Sequence, residues 1–162
     1  MNFLLGPMTQ LAWVIDDLDA AENELAATYG VERWTRLPDI RFGPDTCTVH
    51  GQPADFVANI SLAYVGDLQL ELIQPVSGDS IYSEFIATSG GGIHHGCWEV
   101  PDLATALASI GDLKVIQSGS MADDELLFAY LEPGLPGLAA TEIVQVGPGM
   151  RSFFNELKAG RG

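Results

Sequence analysis

The chain carries the same strand-and-helix pattern twice. The first copy, QLAWVIDDLDAAENEL, begins at Gln10, and the second, HGCWEVPDLATALASI, begins at His95. Each opens with a residue able to bind a metal and runs through β-branched or aromatic residues to an Asp-Leu pair. Beyond that pair, apolar residues recur at the spacing of a buried helical stripe. Asp17 and Asp102 are therefore predicted to cap the helix that follows each of them.

The two halves also end alike. LQLELIQPV and LAATEIVQVG alternate as strands do, and each places a glutamate, Glu71 or Glu142, before two aliphatic residues and a glutamine. Further strand candidates, FVANISLAYVG and LLFAYLEPG, lie between these landmarks. Short strand-helix pairs recur by chance, but the matched glutamates favour a duplication. Each half therefore reads as a strand, a helix that ends near Gly30 or Gly111, and about three strands.

Two more helices are predicted outside the repeat. SIYSEFIATSGGG, at residues 80–92, reads as a short linking helix followed by a flexible glycine joint. MRSFFNELKAGRG predicts a short C-terminal helix with a frayed end, on which Phe153, Phe154 and Leu157 form an apolar stripe. Such a stripe more often packs against a core or a second subunit than against a ligand, and we expect packing here.

The duplication predicts that four polar side chains meet. Strand side chains alternate between faces, so equivalent positions of a duplicated sheet lie on equivalent faces. If the halves pack about a pseudo-twofold axis, Gln10 and Glu71 converge with His95 and Glu142. An imidazole, an amide and two carboxylates suit one divalent ion such as Zn, Co, Ni, Mn or Fe. Such an ion would also compensate for burying two carboxylates, which is otherwise expensive.

Composition limits the partners. The formal charge is -15, from 22 acidic and 7 basic residues. Nucleic-acid binding is not expected, because neutralising phosphates needs clustered Lys and Arg, and an anionic membrane surface is equally unsuitable. The basic cluster of Arg33, Arg36 and Arg41 is either an anion site or, more commonly for charge runs, a solvated surface.

Cysteine usage and the N-terminal sequence bear on the compartment. Cys47 and Cys97 have a spacing that matches neither a zinc ribbon nor a redox motif, so we expect both to be reduced. MNFLLGPMTQ has no cationic region and no long apolar run, so neither a signal peptide nor a membrane span is expected. These features predict a cytoplasmic protein.

Four sequence pieces together resemble a known superfamily. VIDDLDAA, LELIQP, GGGIHHGCWEVPDL and TEIVQV are similar to motifs of the vicinal oxygen chelate proteins, also called the glyoxalase/bleomycin resistance/dioxygenase fold. The resemblance implies an α+β fold, in which two βαβββ modules form a cupped mixed sheet around a metal, and a homodimer. We assign residues 7–78 to the first module, 79–91 to the linker helix and glycine joint, 92–148 to the second module and 149–162 to a C-terminal helix and tail. All four parts belong to one structural domain.

The family's ligand positions fall on the four residues already selected, a set that resembles that of zinc-type glyoxalase I. The register selects His95 rather than His94 as the ligand, because it lies as far from Asp102 as Gln10 lies from Asp17. Strict alternation would place His94 on the opposite face, with a packing or ligand-orienting role. His50 is expected at the surface.

Within the superfamily, LELIQPVSGDSIYSEFIATSGGGIHHGCWEV looks most like methylmalonyl-CoA epimerases. That likeness implies a metal-dependent epimerase, isomerase or lyase that forms an enolate from a small carbonyl or acyl-thioester compound. Glu142 is the expected proton-transfer base, and the family's other proton-transfer carboxylate falls on Asp55. The alternatives are a lactoylglutathione lyase like glyoxalase I, an extradiol dioxygenase, and a non-catalytic binding protein of the bleomycin-resistance type. Val14 and Pro75 stand where glyoxalase I has glutathione-binding residues, which disfavours glutathione.

Overall fold

The computed structural model of the protein describes residues 6–160. The first half of the chain comprises β1 (Gln10–Val14), α1 (Leu18–Tyr29), β2 (Thr35–Phe42), β3 (Cys47–Val49), β4 (Gln52–Pro53), β5 (Phe56–Val65) and β6 (Leu68–Ser77). A linking helix, α2 (Ile81–Ser89), follows. The second half comprises β7 (Gly92–Glu99), α3 (Leu103–Leu107), β8 (Lys114–Met121), β9 (Leu126–Glu132), β10 (Ala140–Val146) and the C-terminal helix α4 (Pro148–Lys158).

The strands form one curled mixed sheet with a repeated internal order. The sheet order is β2-β5-β6-β1-β7-β10-β9-β8-β3-β4. β1, α1, β2, β5 and β6 form the first module, and β7, α3, β8, β9 and β10 form the second module. In each, the first strand pairs in parallel with the last, and the modules meet where β1 and β7 pair antiparallel. The predicted α+β fold of two βαβββ modules is confirmed.

A short hairpin interrupts the symmetry. β3 and β4 leave the first module, and β3 pairs antiparallel with β8, the edge strand of the second module. Cys47 is the register partner of Gly119. The strands approach so closely that a Cβ on Gly119 would lie 2.5 Å from the carbonyl oxygen of Thr46. The hairpin therefore links the far edge of one module to that of the other and helps to curl the sheet.

The equivalent helices begin alike but end differently. The carboxylates of Asp17 and Asp102 each accept a bond from a backbone N–H three residues ahead, which confirms both predicted caps. Helix α1 ends at Gly30, whose φ of 71° suits glycine. The prediction for Gly111 is wrong, because α3 already ends at Leu107. Residues after α3 turn back to pack on the apolar cluster beneath the second module.

Both helices outside the repeat are present. Ser80 caps α2 through a capping box with Ser83, and Gly90 ends that helix with a φ of 75°. Pro148 opens α4 in the first turn, where the missing N–H costs nothing. The predicted frayed end at residues 161–162 lies outside the described residues. No helix within residues 6–160 is both long and apolar enough to cross a membrane.

The two faces of the sheet pack against different parts of the protein. One face packs against the helices of the repeat: Trp13 joins Leu25 of α1 in one cluster, and Leu103 of α3 joins Ile143 in another. Trp98 is also buried, and neither tryptophan lines the cavity described below. The opposite face holds the largest apolar cluster, which α2 and α4 cover, together with the candidate site.

Candidate metal centre

Strand register brings the predicted polar residues together on one face of the four central strands. One row across β6, β1, β7 and β10 contains Gln69, Gln10, Cys97 and Glu142. The neighbouring row contains Glu71, Ala12, His95 and Ala140. A twofold rotation exchanges the two rows, so that Gln10 overlays His95 and Glu71 overlays Glu142. The register thus has the symmetry that the sequence repeat predicts.

His95 lies at the middle of this arrangement. Its side chain is fully buried, and its Nε2 atom lies 3.2 Å from a Glu142 oxygen and 3.5 Å from a Glu71 oxygen. Neither approach has hydrogen-bond geometry, so Nε2 is left without a hydrogen-bond partner. Burial lowers the pKa of His95, but the two glutamates outweigh burial and raise the pKa to about 9. Burial also raises the pKa of Glu71, which His95 opposes.

Gln10 is oriented by a chain of amides. Its Nε2 donates to Gln69 Oε1 at 2.6 Å, and Gln69 Nε2 donates in turn to the Tyr64 hydroxyl at 2.8 Å. These bonds leave Gln10 Oε1 buried and without a partner. Gln10, Glu71 and Glu142 line the same cavity. The free oxygen is thus the atom of Gln10 that could bind a cation.

His94 orients His95 through a bulge. The pairing of β1 with β7 shifts between Ala12 and Trp13, which face His95 and Ile93 and leave His94 as the extra residue. The His94 and His95 Nδ1 atoms lie 2.9 Å apart. The expectation that His94 faces away is therefore wrong, because the bulge breaks strict alternation, whereas its predicted contact with His95 is present.

The tautomers follow from that contact. Burial, with a contribution from His95, lowers the pKa of His94 to about 3, so His94 is neutral and accepts the bond. His95 therefore donates from Nδ1, and its Nε2 faces the glutamates. With a pKa of about 9, Nε2 also carries a proton at neutral pH, and a bound cation would replace that proton. Outer residues commonly fix metal-binding imidazoles in this way.

Two buried tyrosines lie beside the histidines. The Tyr82 hydroxyl donates to the Tyr130 hydroxyl at 2.7 Å, and the Tyr130 ring lies 4.9 Å from the His95 ring. Burial raises the pKa of both phenols well above the usual value, so both remain protonated. The sequence analysis missed these residues and Gln69. Alternation along β6 would have identified Gln69, because it lies two residues before Glu71 on the same face.

Other predicted positions lie apart from this cluster. Asp55 is exposed, forms two hydrogen bonds to Arg41 and does not line the cavity. Asp55 directly precedes β5, so its side chain does not follow the alternation of that strand and does not face the central cluster. Its catalytic role remains a prediction that the observed position does not support. Arg36 pairs with Asp19 and Glu22, and Arg41 pairs with Asp55, all at the surface. These pairs favour the solvated-surface alternative for the basic cluster over the anion site.

The remaining predicted residues behave as expected. His50 is exposed, and its Nε2 lies 3.0 Å from Glu84. Cys47 and Cys97 are both free and buried. The predicted packing role of the C-terminal stripe holds for Leu157, whereas Phe153 and Phe154 also line the cavity.

The donor set fits a divalent ion. Within residues 6–160, no three His, Cys, Asp or Glu side chains already have the spacing of a metal site. At this site the two carboxylates instead contact the imidazole directly. Two ligands bonded at about 2.1 Å to one ion at right angles lie roughly 3.0 Å apart, and the observed separations exceed that only slightly. Four buried side-chain atoms of the described residues have no hydrogen-bond partner. Two of them belong to Gln117, and the other two, Gln10 Oε1 and His95 Nε2, are the ones that an ion at this site would satisfy.

Comparison with known proteins finds relatives over most of the chain. Residues 9–130 match the Glyoxalase/Bleomycin resistance protein/Dioxygenase superfamily. The mitochondrial methylmalonyl-CoA epimerase of Mus musculus is 27% identical over 132 residues, which are 80% of this chain. The chain spans 64% of the length of that relative.

Solved structures have the same fold. A variant of Streptomyces coelicolor methylmalonyl-CoA epimerase, in complex with 2-nitronate-propionyl-CoA, matches with a TM-score of 0.65 and 21% identity over 89% of this chain and 96% of that chain. The methylmalonyl-CoA epimerase of Mycobacterium tuberculosis matches with a TM-score of 0.63 and 18% identity over 92% of this chain and 93% of that chain. At these identities the likeness establishes the fold.

Proposed function

The chain belongs to the glyoxalase/bleomycin resistance protein/dioxygenase superfamily, and from this premise we propose that it is a metal-dependent epimerase or isomerase. It acts through an enolate on a small carbonyl or acyl-thioester compound. The observation that carries the proposal is the pair of orphaned donor atoms, Gln10 Oε1 and His95 Nε2, beside two buried carboxylates. The epimerases among the relatives support the reaction class.

Gln10, Glu71, His95 and Glu142 are the proposed ligands. When bound, a divalent ion polarises a substrate carbonyl and stabilises the negative charge that forms when a proton leaves the adjacent carbon. His94 and Gln69 hold the ligand atoms of His95 and Gln10 in place. Burial excludes bulk water and strengthens these electrostatic interactions.

Glu142 is the proposed proton-transfer base. Asp67 and Glu99 also line the cavity, but they pair with Lys158 and Arg151. Among the described carboxylates that line the cavity, this leaves the pseudosymmetric pair of Glu71 and Glu142. An epimerase must remove a proton from one face of a carbon and return one to the other. We therefore assign to Glu71 the second proton-transfer role that the sequence had placed on Asp55.

Proton exchange in heavy water tests this proposal. Acyl-CoA thioesters and hemithioacetals of 2-oxoaldehydes are incubated with protein loaded with Co, Ni or Zn, and deuterium uptake at the α-carbon is followed by NMR. We expect uptake from at least one class, with metal required. Glu142→Gln should reduce the rate by about 10²-fold or more, the usual contribution of a positioned base. Absence of exchange with every metal and substrate class would contradict the function.

Metal content separates the two roles of Glu142. An amide is still able to bind an ion, as Gln10 is proposed to do, so the Glu142→Gln variant should retain metal while losing exchange. Asp55→Asn is the matched control, since it makes the same chemical change outside the cavity and should leave the rate unchanged. If the control loses exchange and Glu142→Gln does not, the original assignment to Asp55 is correct.

A metal-free binding protein of the bleomycin-resistance type is the second candidate. The apolar cavity beneath α4 favours it, because such a cavity can enclose a ligand without chemistry. The orphaned donor atoms favour the enzyme. Protein purified without chelators should therefore contain about one ion per chain, and a metal-free preparation that binds ligands equally well would favour the binding protein.

A further inference from the structure

The cavity beside the four proposed ligands is small and mainly apolar. Its volume is about 260 Å³, below the roughly 300–1,000 Å³ of most small-molecule sites. An apolar cavity of about 150 Å³ takes up benzene, so the enclosed part of a ligand here has roughly ten non-hydrogen atoms. Phe42, Leu62, Phe128 and Val144 belong to its lining. Most of the surface of such a ligand would contact hydrocarbon.

Helix α4 lies over this cavity and connects the two modules. Both of its phenylalanines belong to the lining. In its first half, Arg151 pairs with Glu99 of β7, and in its last turn Lys158 pairs with Asp67 in the turn between β5 and β6. The helix is therefore attached to the second module through one ion pair and to the first module through the other.

The charges around the cavity do not suit a polyphosphate. The only basic residues in the described lining are those two of α4, and both are ion-paired. Arg36 and Arg41 are paired as well. Within residues 6–160, only Arg33 and Lys114 form no ion pair, and neither lines the cavity. The formal charge of -15 opposes an anionic nucleotide further.

We propose that the site takes a compact, uncharged carbonyl compound and not a coenzyme A thioester. The ligand has a carbonyl at one end and an otherwise apolar body. The carbonyl end faces Glu71 and Glu142, and the apolar body lies under the phenylalanines of α4. The role of the carbonyl depends on the proposed function, whereas the polarity of the body follows from the lining of the cavity.

Paired probes test this ligand class. The neutral probe is 2-hydroxy-1-phenylpropan-1-one, and the anionic one is methylmalonyl-CoA, each titrated into metal-loaded protein by calorimetry. We expect the neutral probe to bind at least about tenfold more tightly, a difference of 1.4 kcal/mol. Its α-proton should also exchange in heavy water. Tighter binding of the thioester, or no binding of the neutral probe, would overturn the inference.

The outcomes distinguish this inference from the proposed function. Binding of the neutral probe without exchange supports the ligand class and contradicts the enolate chemistry. Exchange of methylmalonyl-CoA without binding of the neutral probe leaves the enzyme function standing and overturns the ligand class.

Cavity-filling variants locate the binding. Leu62→Phe occupies part of the space that the ligand would fill and should weaken binding of the neutral probe by about tenfold or more. Val115→Phe is the matched control, because that side chain is exposed and does not line the cavity. Met121→Phe, at a partly buried lining position, replaces the first variant if that variant does not fold. Unchanged affinity in a folded lining variant would overturn the proposed location.

Discussion

The two modules present equivalent side chains but orient them by different means. In the first module, Gln10 is held by Gln69 on the neighbouring strand β6. The equivalent position in the second module is Ala140, which has no polar group. There, His95 is oriented instead by its own sequence neighbour His94, and a bulge makes the contact possible.

This difference shows that, in a duplicated fold, the position of a donor residue and the orientation of its side chain are determined separately. The shared sheet register determines where each donor residue lies, because the rows across β6, β1, β7 and β10 obey the twofold symmetry. The orienting residues determine which atom of each donor faces the centre, and they are free to differ between modules. The site is therefore symmetric in position and asymmetric in chemistry, with an amide facing an imidazole.

The largest expected effect comes from removing one donor from each module in turn. His95→Ala should abolish stoichiometric metal binding, because it deletes the imidazole ligand at the centre of the set. Gln10→Ala should retain metal with an affinity lowered by about tenfold, since a neutral amide contributes less than an imidazole. Metal analysis after dialysis and cobalt titration measure both. Equal losses in the two variants would contradict the asymmetry.

Core truncations at equivalent positions test whether the modules unfold together. Leu72 and Ile143 are neighbours of Trp13 and Trp98 in the register and are almost fully buried. Each change to alanine should cost about 2–5 kcal/mol of unfolding free energy. Because β1 and β7 join the modules into one sheet, denaturation by urea should remain a single transition in both variants. Val65→Ala, at an exposed site, is the control, and two separate transitions would show that the modules unfold independently.

The orienting residues should have a smaller, matched effect on metal affinity. Gln69→Leu and His94→Phe each remove a polar contact while preserving size, and each should weaken metal binding by at most about tenfold, the lower end of the range for such outer contacts, because neither variant deletes a ligand. Because each acts on its own ligand, the double variant should show the sum of the two free-energy changes. Isothermal titration with cobalt provides the values. An unchanged affinity in either single variant would remove that residue from the orienting role.

The smallest expected effect concerns the two helix caps. Asp17→Ala and Asp102→Ala each remove one side-chain bond to an N-terminal backbone N–H. Each should lower the unfolding free energy by about 1 kcal/mol. Thermal denaturation measures the loss, with the asparagine variants as controls that retain a capping oxygen. A much larger loss for one aspartate would indicate a role beyond capping at that position.

The repeat in the sequence predicted the architecture and the four polar positions, because duplication preserves strand register. It did not predict the bulge at His94, since alternation assumes a regular strand. It also did not predict the hairpin of β3 and β4 that crosses to β8, because such short strands are stabilised by partners distant in the sequence.

Asp55 and the C-terminal helix show where sequence reasoning fails for physical reasons. Asp55 was located by counting back from Glu71, but a count along the chain ignores where the intervening hairpin begins and ends. The apolar stripe of α4 indicated a buried face, but such a stripe does not specify whether it meets a core, a second subunit or a ligand. The homodimer and the cytoplasmic location remain predictions, and the mouse relative is described as mitochondrial.

The most direct test of the proposed metal centre is anomalous diffraction from crystals of protein loaded with cobalt or zinc. One anomalous peak per chain is expected within about 2.3 Å of Gln10 Oε1, of His95 Nε2 and of a carboxylate oxygen from both Glu71 and Glu142. A peak bound by other residues, or a fully loaded protein with no peak between the two modules, would contradict the account.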